Sequence, residues 1–403
     1  MKILCLTDAV WPDQAGGISK TVLFETQGLL AQGHELVVVS RRLQTGDQLY
    51  EKRDGYDLYR YAGPATGSIF GPSYPLATLT KLPRLLRKLH HQHAFEVAYV
   101  NNIFQGAAFL YSGCKIPMVY VFHASAYREI EIDRRQGKYK KLSWLAKIVN
   151  SGVKPIEKKV LARANVIVVR SDFMLSEIHD LYGIQNANKI KRIPLGIDTH
   201  QFAFAQSSNE PRQLLGLPLD SAILLTVRRL VARTGVENLV LAMKRVVEVF
   251  PNTSLLVIGK GYLESSLQTL VKKEGLEKNV KMLGFVSEEL LPKYYQAVDF
   301  FILPTQAYEG FGLSTLEALA SGTPVLATPV GANPEVLRAL DPDLVMKGID
   351  KESIANGIVE WLERHTDSEL RQRCRHYCLE NFTRDRICLQ IEAVLNKATQ
   401  SIW

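Results

Sequence analysis

Apolar runs alternate with helical patterns along this chain of 403 residues, and the alternation is written twice. Residues 3–7 (ILCLT), 35–40 (ELVVVS), 97–100 (VAYV), 117–122 (PMVYVF) and 165–169 (NVIVV) are strand candidates of the first half. Residues 223–227, 254–258, 281–284, 300–303 and 324–327 are those of the second. Between them, residues 18–30, 236–250, 262–274 and 315–320 carry apolar positions at helical spacing. A strand that is apolar along its whole length is buried on both faces, as happens in parallel sheets covered by helices. The pattern predicts an α/β chain with two Rossmann-like domains. Pro and Gly in residues 193–198 (IPLGID) break it and suggest the boundary. Residues 1–195 then form the first domain and 196–384 the second, with a terminal helix over 385–403 expected to pack back on the first.

Composition narrows the class. Hydrophobic residues at 46% and charged ones at 22% exclude a disordered or collagen-like chain. No window approaches twenty uninterrupted apolar residues, so no spanning helix is expected. The start, MKILCLTD, reads as a first strand and not as a secretory signal, which predicts a cytoplasmic protein. Five scattered cysteines argue against a disulfide framework, and Cys374 with Cys378 lacks the other half of a zinc site.

The net charge of +8 is concentrated. Residues 128–163 hold eleven Lys or Arg against four Asp or Glu, which leaves +1 for the rest of the chain. Tyr139, Leu142, Trp144, Leu145, Ile148 and Val149 lie among those lysines. Residues 80–88 (TKLPRLLRK) form a second basic patch, in which residues 79–89 also follow a helical pattern. Such runs are either a solvated face or a surface for anions, including an anionic membrane. Nucleic acid is not expected, because no finger, RNA-recognition or helix-turn-helix spacing accompanies the charge.

Ligands of open α/β sheets sit beyond the carboxyl ends of the strands. The first such loop carries Gly16 and Gly17 just before a helix, where backbone amides can approach a phosphate. It is neither a Walker motif nor GxGxxG, which weakens ATPase and dehydrogenase readings. The strongest stretch follows residues 300–303: Glu309, Gly310, Phe311, Gly312, Leu313, Ser314 and Glu317 open a helix. The amides of Leu313 and Ser314 would point at an anion. Ser314-x-x-Glu317 also has the spacing of a capping box, whereas Glu309 has no capping duty.

The segment EGFGLSTLEALASGTPV, with Glu309 seven residues ahead of Glu317, resembles the core motif of the retaining glycosyltransferases of family 4. The resemblance takes in Gly16-Gly17, His123, residues 193–198, Arg228-Arg229-Leu230-Val231, residues 257–261 and residues 283–286. It is weakest over residues 40–95 and 124–163. It implies the GT-B fold, two facing Rossmann-like domains with a cleft between them. It also implies a metal-independent transfer of a hexosyl unit from a UDP-, GDP- or ADP-sugar, with no resident cofactor, to a glycan or lipid-linked acceptor. Carried over, Gly16 and Gly17 approach the donor phosphates and His123 touches the transferred sugar. Arg229 neutralises the leaving diphosphate, while Gly259 and Val286 line the nucleotide pocket. Glu309 holds sugar hydroxyls, Glu317 the ribose, and Phe311, Gly312, Leu313 and Ser314 complete the donor site. The family's usual lysine five positions after Arg229 is Thr234 here, so either Arg233 or the threonine hydroxyl would stand in. A sugar-nucleotide epimerase and a non-catalytic sugar-nucleotide-binding protein are the competing readings.

Overall fold

The computed structural model describes every residue except 15, 45, 65–72, 137–142, 365–367 and 401–403, and omits the side chains of 143–146 and 148. The chain separates into two compact units between Gly196 and Ile197, and Arg384 returns it to the first. Eight strands build the sheet of the first unit: β1 (Lys2–Leu6), β2 (Glu35–Arg41), β3 (Tyr50–Arg53), β4 (Tyr56–Tyr61), β5 (Val97–Val100), β6 (Met118–Phe122), β7 (Val166–Val169) and β8 (Ile190–Arg192). Their order is β3-β4-β2-β1-β5-β6-β7-β8, with β3 alone antiparallel to its neighbour. Helices α1 (Gly17–Ala31), α2 (Tyr74–His93), α3 (Ile103–Ser112), α4 (Ala126–Arg135), α5 (Ser143–Arg163) and α6 (Asp172–Tyr182) belong to the same unit, apart from Arg135 at the end of α4.

The second unit has five parallel strands in the order β11-β10-β9-β12-β13. These are β9 (Ile223–Val227), β10 (Ser254–Ile258), β11 (Val280–Gly284), β12 (Phe300–Leu303) and β13 (Val325–Ala327). Its helices are α7 (Asn209–Leu214), α8 (Val236–Val249), α9 (Glu264–Lys273), α10 (Leu291–Ala297), α11 (Leu313–Ala320), α12 (Asn333–Leu337), α13 (Lys351–Glu363) and α14 (Ser368–Asn381). The ten apolar runs of the sequence all lie in strands. The β3–β4 hairpin was not expected, because Tyr50-Glu-Lys-Arg and Tyr56-Asp-Leu-Tyr-Arg-Tyr alternate where buried strands run continuously.

The last helix, α15 (Arg384–Gln400), packs in the first unit. Ile387, Ile391, Val394, Leu395 and Ala398 form one helical stripe in a core cluster with Ile3, Leu29, Val38 and Val119. Gly28 of α1 permits this contact: a Cβ there would lie 2.1 Å from Cys388 Sγ. Cys5, Cys374, Cys378 and Cys388 are free and buried, and burial pushes each thiol up to about 12.

Residues 79–89 lie within α2, as their helical pattern predicts. Leu82, Leu86 and Leu89 are buried in the core, so the apolar face of α2 is spent inside the protein. Its basic residues Lys81, Arg84, Arg87 and Lys88 are exposed, as is Leu76 in its first turn. Of the aromatic and apolar residues placed among the lysines, 139 and 142 lie outside the described residues, as do the side chains at 144, 145 and 148; Val149 is exposed. Among the described residues no helix is long and apolar enough to cross a membrane.

Candidate active site

Strand order reverses once in each sheet. β1 lies between β2 and β5, and β9 between β10 and β12, so chain connections depart in opposite directions and leave a crevice at the carboxyl ends. The predicted site residues all fall beyond such ends. Gly16 and Gly17 open α1 after β1, and His123 follows β6. Arg229 and Arg233 follow β9, Gly259 β10, Val286 β11, and the Glu309–Glu317 segment β12.

In the first unit, neither Gly16 nor Gly17 is demanded by the fold. The φ of Gly16 is 164°, which is extended backbone open to any residue. A Cβ at Gly17 would meet nothing within 4 Å. His123 Nε2 lies 2.9 Å from Asn101 Oδ1, across the neighbouring ends of β5 and β6. The Asn101 amide nitrogen faces Cys5 Sγ at 3.9 Å, which leaves Oδ1 for the histidine. Burial, and then the positive charge of Arg170, hold His123 well below its ordinary 6.5. The imidazole is therefore neutral, with its hydrogen assigned to Nε2 and Nδ1 left as an acceptor. Arg170 is itself buried and donates to Glu25 Oε1 at 2.7 Å, while Tyr99 donates to Glu25 Oε2 at 2.8 Å.

In the second unit, a charged cluster joins the ends of β9 and β12. Arg228 Nη2 donates to Glu309 Oε2 at 2.6 Å and Nη1 to Thr305 Oγ1 at 2.7 Å. The Thr305 hydroxyl in turn donates to Glu309 Oε2 at 3.1 Å. Glu309 Oε1 carries no hydrogen bond among the described residues. The backbone that presents it is strained: Tyr308 has φ +65°, in the left-handed region. Arg233 Nη1 donates to the Tyr308 carbonyl at 3.3 Å, and the Ala332 amide to that of Glu309 at 2.9 Å. Gly331 must be glycine for that approach, since a Cβ would lie 2.2 Å from the Glu309 oxygen.

The capping box that the Ser314–Glu317 spacing allows does not form. Gly312, at φ +85°, is the cap of α11, no side chain caps the helix, and the amides of Thr315 and Leu316 reach the Gly312 carbonyl. Glu317 is buried and accepts from Tyr295 Oη at 2.7 Å. Among the described residues the Leu313 and Ser314 amides have no backbone acceptor, as expected of the first amides at the positive end of a helix. The Phe311 ring is buried edge-on to Phe382, which leaves its side chain inside the protein. Val286 is half-buried beside the exposed Phe285.

Around Arg229 the structure separates two stand-ins for the missing lysine. Arg229 is exposed, and its guanidinium makes no hydrogen bond or ion pair among the described residues. Thr234 is buried, and its hydroxyl is directed at the Arg229 and Val231 carbonyls at 2.8 and 2.7 Å, so it is not free for a phosphate. Gly259 serves the scaffold: at φ +135°, a Cβ would lie 1.8 Å from the Arg228 carbonyl oxygen. Among the described residues no three His, Cys, Asp or Glu side chains are grouped as metal ligands.

Residues 15–201 match the family described as Glycosyltransferase Family 4, and residues 207–379 match Glycosyl transferases group 1. The chain belongs to the family 4-like GT-B glycosyltransferases. An uncharacterized glycosyltransferase of Methanocaldococcus jannaschii is 25% identical over 409 residues, covering 96% of this chain and 97% of that one. A GDP-mannose-dependent alpha-(1-6)-phosphatidylinositol monomannoside mannosyltransferase of Mycolicibacterium smegmatis is 24% identical, covering 92% of each. Among solved structures, sucrose-phosphate synthase from Thermosynechococcus elongatus superposes with a TM-score of 0.81 at 21% identity, over 98% of each chain. HepE of Anabaena in complex with UDP gives 0.75 at 18% identity, over 98% of this chain and 100% of that one.

Two residues of this glycosyltransferase escaped the sequence reading. Arg228 was quoted in its motif without a role, although a cation directly after a strand end was the available signal. Asn101 follows residues 97–100 in the same way. Neither has a partner close in sequence: Glu309 is 81 positions from Arg228, and His123 is 22 from Asn101.

Proposed function

We propose that this glycosyltransferase moves a hexosyl unit, with retention, from a UDP- or GDP-sugar to a hydroxyl of a glycan or lipid-linked glycan. The observation that carries the reading is Glu309. A nearly buried carboxylate offers one unpaired oxygen to a sugar hydroxyl, four residues ahead of a helix start whose amides await an anion. Gly16 and Gly17 leave open space for the donor's phosphates. Arg229, whose guanidinium has no hydrogen bond or ion pair among the described residues, takes the leaving diphosphate, where fixed positive charge acts mainly in the transition state. Arg233 stands nearest to a second cation, because Thr234 is engaged by backbone. Neutral His123 accepts a hydroxyl of the transferred sugar at Nδ1, and the departing phosphate takes the acceptor's proton. Glu317 holds the ribose, Val286 meets the base through its backbone, and neither metal nor cofactor takes part.

Relatives and neighbours support a sugar nucleotide as donor: one is named GDP-mannose-dependent, another is bound to UDP. Thermal shifts against UDP-, GDP- and ADP-sugars test this, since a ligand that binds the folded state raises its melting temperature. No shift with any of them sinks the reading. Release of a free 2-epimer without acceptor would favour the epimerase instead.

The exposed basic face of α2 supports a membrane-proximal acceptor at the cytoplasmic face, as does the phosphatidylinositol-linked acceptor in a relative's name. Vesicles with anionic lipid should co-sediment with the protein at low salt and release it as salt rises. No binding at low salt removes the membrane from the reading.

A further inference from the structure

We propose that Arg228 is a specificity-determining, positioning residue: by occupying Oε2 of Glu309 it makes this carboxylate read a single donor-sugar hydroxyl through Oε1. The inference rests on Glu309 being the sugar-binding residue. An unengaged carboxylate has two oxygens and accepts from two neighbouring hydroxyls with little preference between them. Here Oε2 already accepts from Arg228 Nη2 at 2.6 Å and from Thr305 Oγ1 at 3.1 Å, which fills its two lone-pair sites. Oε1 alone remains.

The same contacts set its direction. The main chain of Glu309 is held by the Ala332 amide and follows the left-handed Tyr308, so the remaining freedom is that of the side chain. Arg228 and Thr305 remove it. Arg228 is itself anchored, because its amide donates to the Ile258 carbonyl and its own carbonyl abuts Gly259. Thr305 is fully buried. The cluster is thus a rigid triangle spanning the ends of β9 and β12, and its ion pair is nearly out of water, with side chains 8% and 13% exposed. There a charge-assisted hydrogen bond is strong and directional. A hydroxyl of the wrong configuration leaves Oε1 without its partner, and a second carboxylate oxygen is not available to compensate.

Binding of epimeric donors tests this without an acceptor. Calorimetry would measure UDP-glucose against UDP-galactose, which differ at one hydroxyl, and GDP-mannose against GDP-glucose, with UDP and GDP alone as references. In the parent, one pair is expected to differ by about tenfold or more, as a lost hydrogen bond to a charged group implies. Arg228→Gln and Thr305→Val should narrow that ratio to about threefold or less, while affinity for the bare nucleotide stays unchanged. Arg228→Lys, which keeps the charge but meets one partner instead of two, should fall between. A merely structural role would lower the melting temperature and nucleotide affinity and leave the ratio alone. Unchanged ratios in Arg228→Gln and Thr305→Val, or a parent that does not distinguish either pair, overturn the proposal. Should Arg228→Gln fail to fold, Thr305→Val and Arg228→Lys still decide it. Glu309→Gln separates the two levels: if it leaves both donor affinity and the ratio intact, Glu309 is not the sugar-binding residue.

Discussion

Beyond the first sheet, His123 is held by Asn101, a neutral amide; beyond the second, Glu309 is held by Arg228, a full charge. The glycines differ in the same sense. Gly16 and Gly17 stand in open backbone that any small residue can occupy, whereas Gly259, Gly312 and Gly331 have φ values of +135°, +85° and +59° and Cβ positions already taken. The loops of the first unit leave space that nothing in the fold requires. In the second, Gly259 and Gly331 are braced backbone against backbone and Gly312 against the Thr315 side chain, so that charged groups keep their aim. A site that must distinguish hydroxyls needs such bracing, since a loosely held carboxylate swings to whatever is offered.

The largest test of this contrast is Arg229→Ala. Removing the unpaired guanidinium should lower release of nucleoside diphosphate from the donor by about 10³, with little change in melting temperature. Full activity would remove the clamp and most of the donor-site reading. Arg233→Ala should lose nearly as much if it is a second cation, and under about threefold if it only braces Tyr308.

Glu309→Ala comes next, with a loss of about 10² in turnover and nucleotide affinity nearly unchanged. Near-normal turnover would make Glu309 a loop acid paired to Arg228 and nothing more.

Paired glycine substitutions address the two loops directly. Gly259→Ala should destabilise by about 2–4 kcal/mol, through the clash with Arg228 and the strained φ, read as a fall in melting temperature. Gly17→Ala should stay within about 0.5 kcal/mol of the parent, yet weaken donor binding by about tenfold, because only the ligand needs the space. Equal stability losses in the two variants would erase the distinction.

A smaller effect is expected at Glu317. Its replacement by Ala leaves the buried Tyr295 hydroxyl without its acceptor, at about 1–2 kcal/mol of denaturation free energy, and weakens nucleotide binding. Burial, and then the Glu317 charge, hold the Tyr295 phenol well above its ordinary value, so it remains the donor throughout the working range.

The smallest effect is in pH. His123 titrates below 6.5 in the folded chain, so under that pH the unfolded chain binds a proton that the folded one does not. Stability therefore falls as pH drops below about 6.5 and levels off above it. Chemical denaturation of His123→Gln should show a flatter acid limb than the parent. Identical limbs would mean that the folded protein accommodates the charge.

Most of the architecture was legible because burial writes itself locally. Val37-Val-Val39 and Leu224-Leu225 can only be strands covered on both faces, and the Ile387, Ile391, Leu395 stripe can only be a helix with one face packed. The β3–β4 hairpin was not, since its residues alternate and half of each strand is wet. The capping-box spacing of Ser314 and Glu317 misleads for a related reason: a glycine cap at Gly312 and a tyrosine 22 positions from Glu317 claim the groups involved.

Sequence by itself determined which residues stand beyond the strand ends, because a strand and the loop after it are neighbours in the chain. It determined Gly16, Gly17, His123, Arg229 and Glu309 in this way. Tertiary structure alone decided what each of them touches. Strand order placed β9 beside β12 and β5 beside β6, and so brought Arg228 to Glu309 and Asn101 to His123. Pairing across a sheet is set by the burial of whole strands and the packing of the helices between them, sums over many residues that no local spacing records.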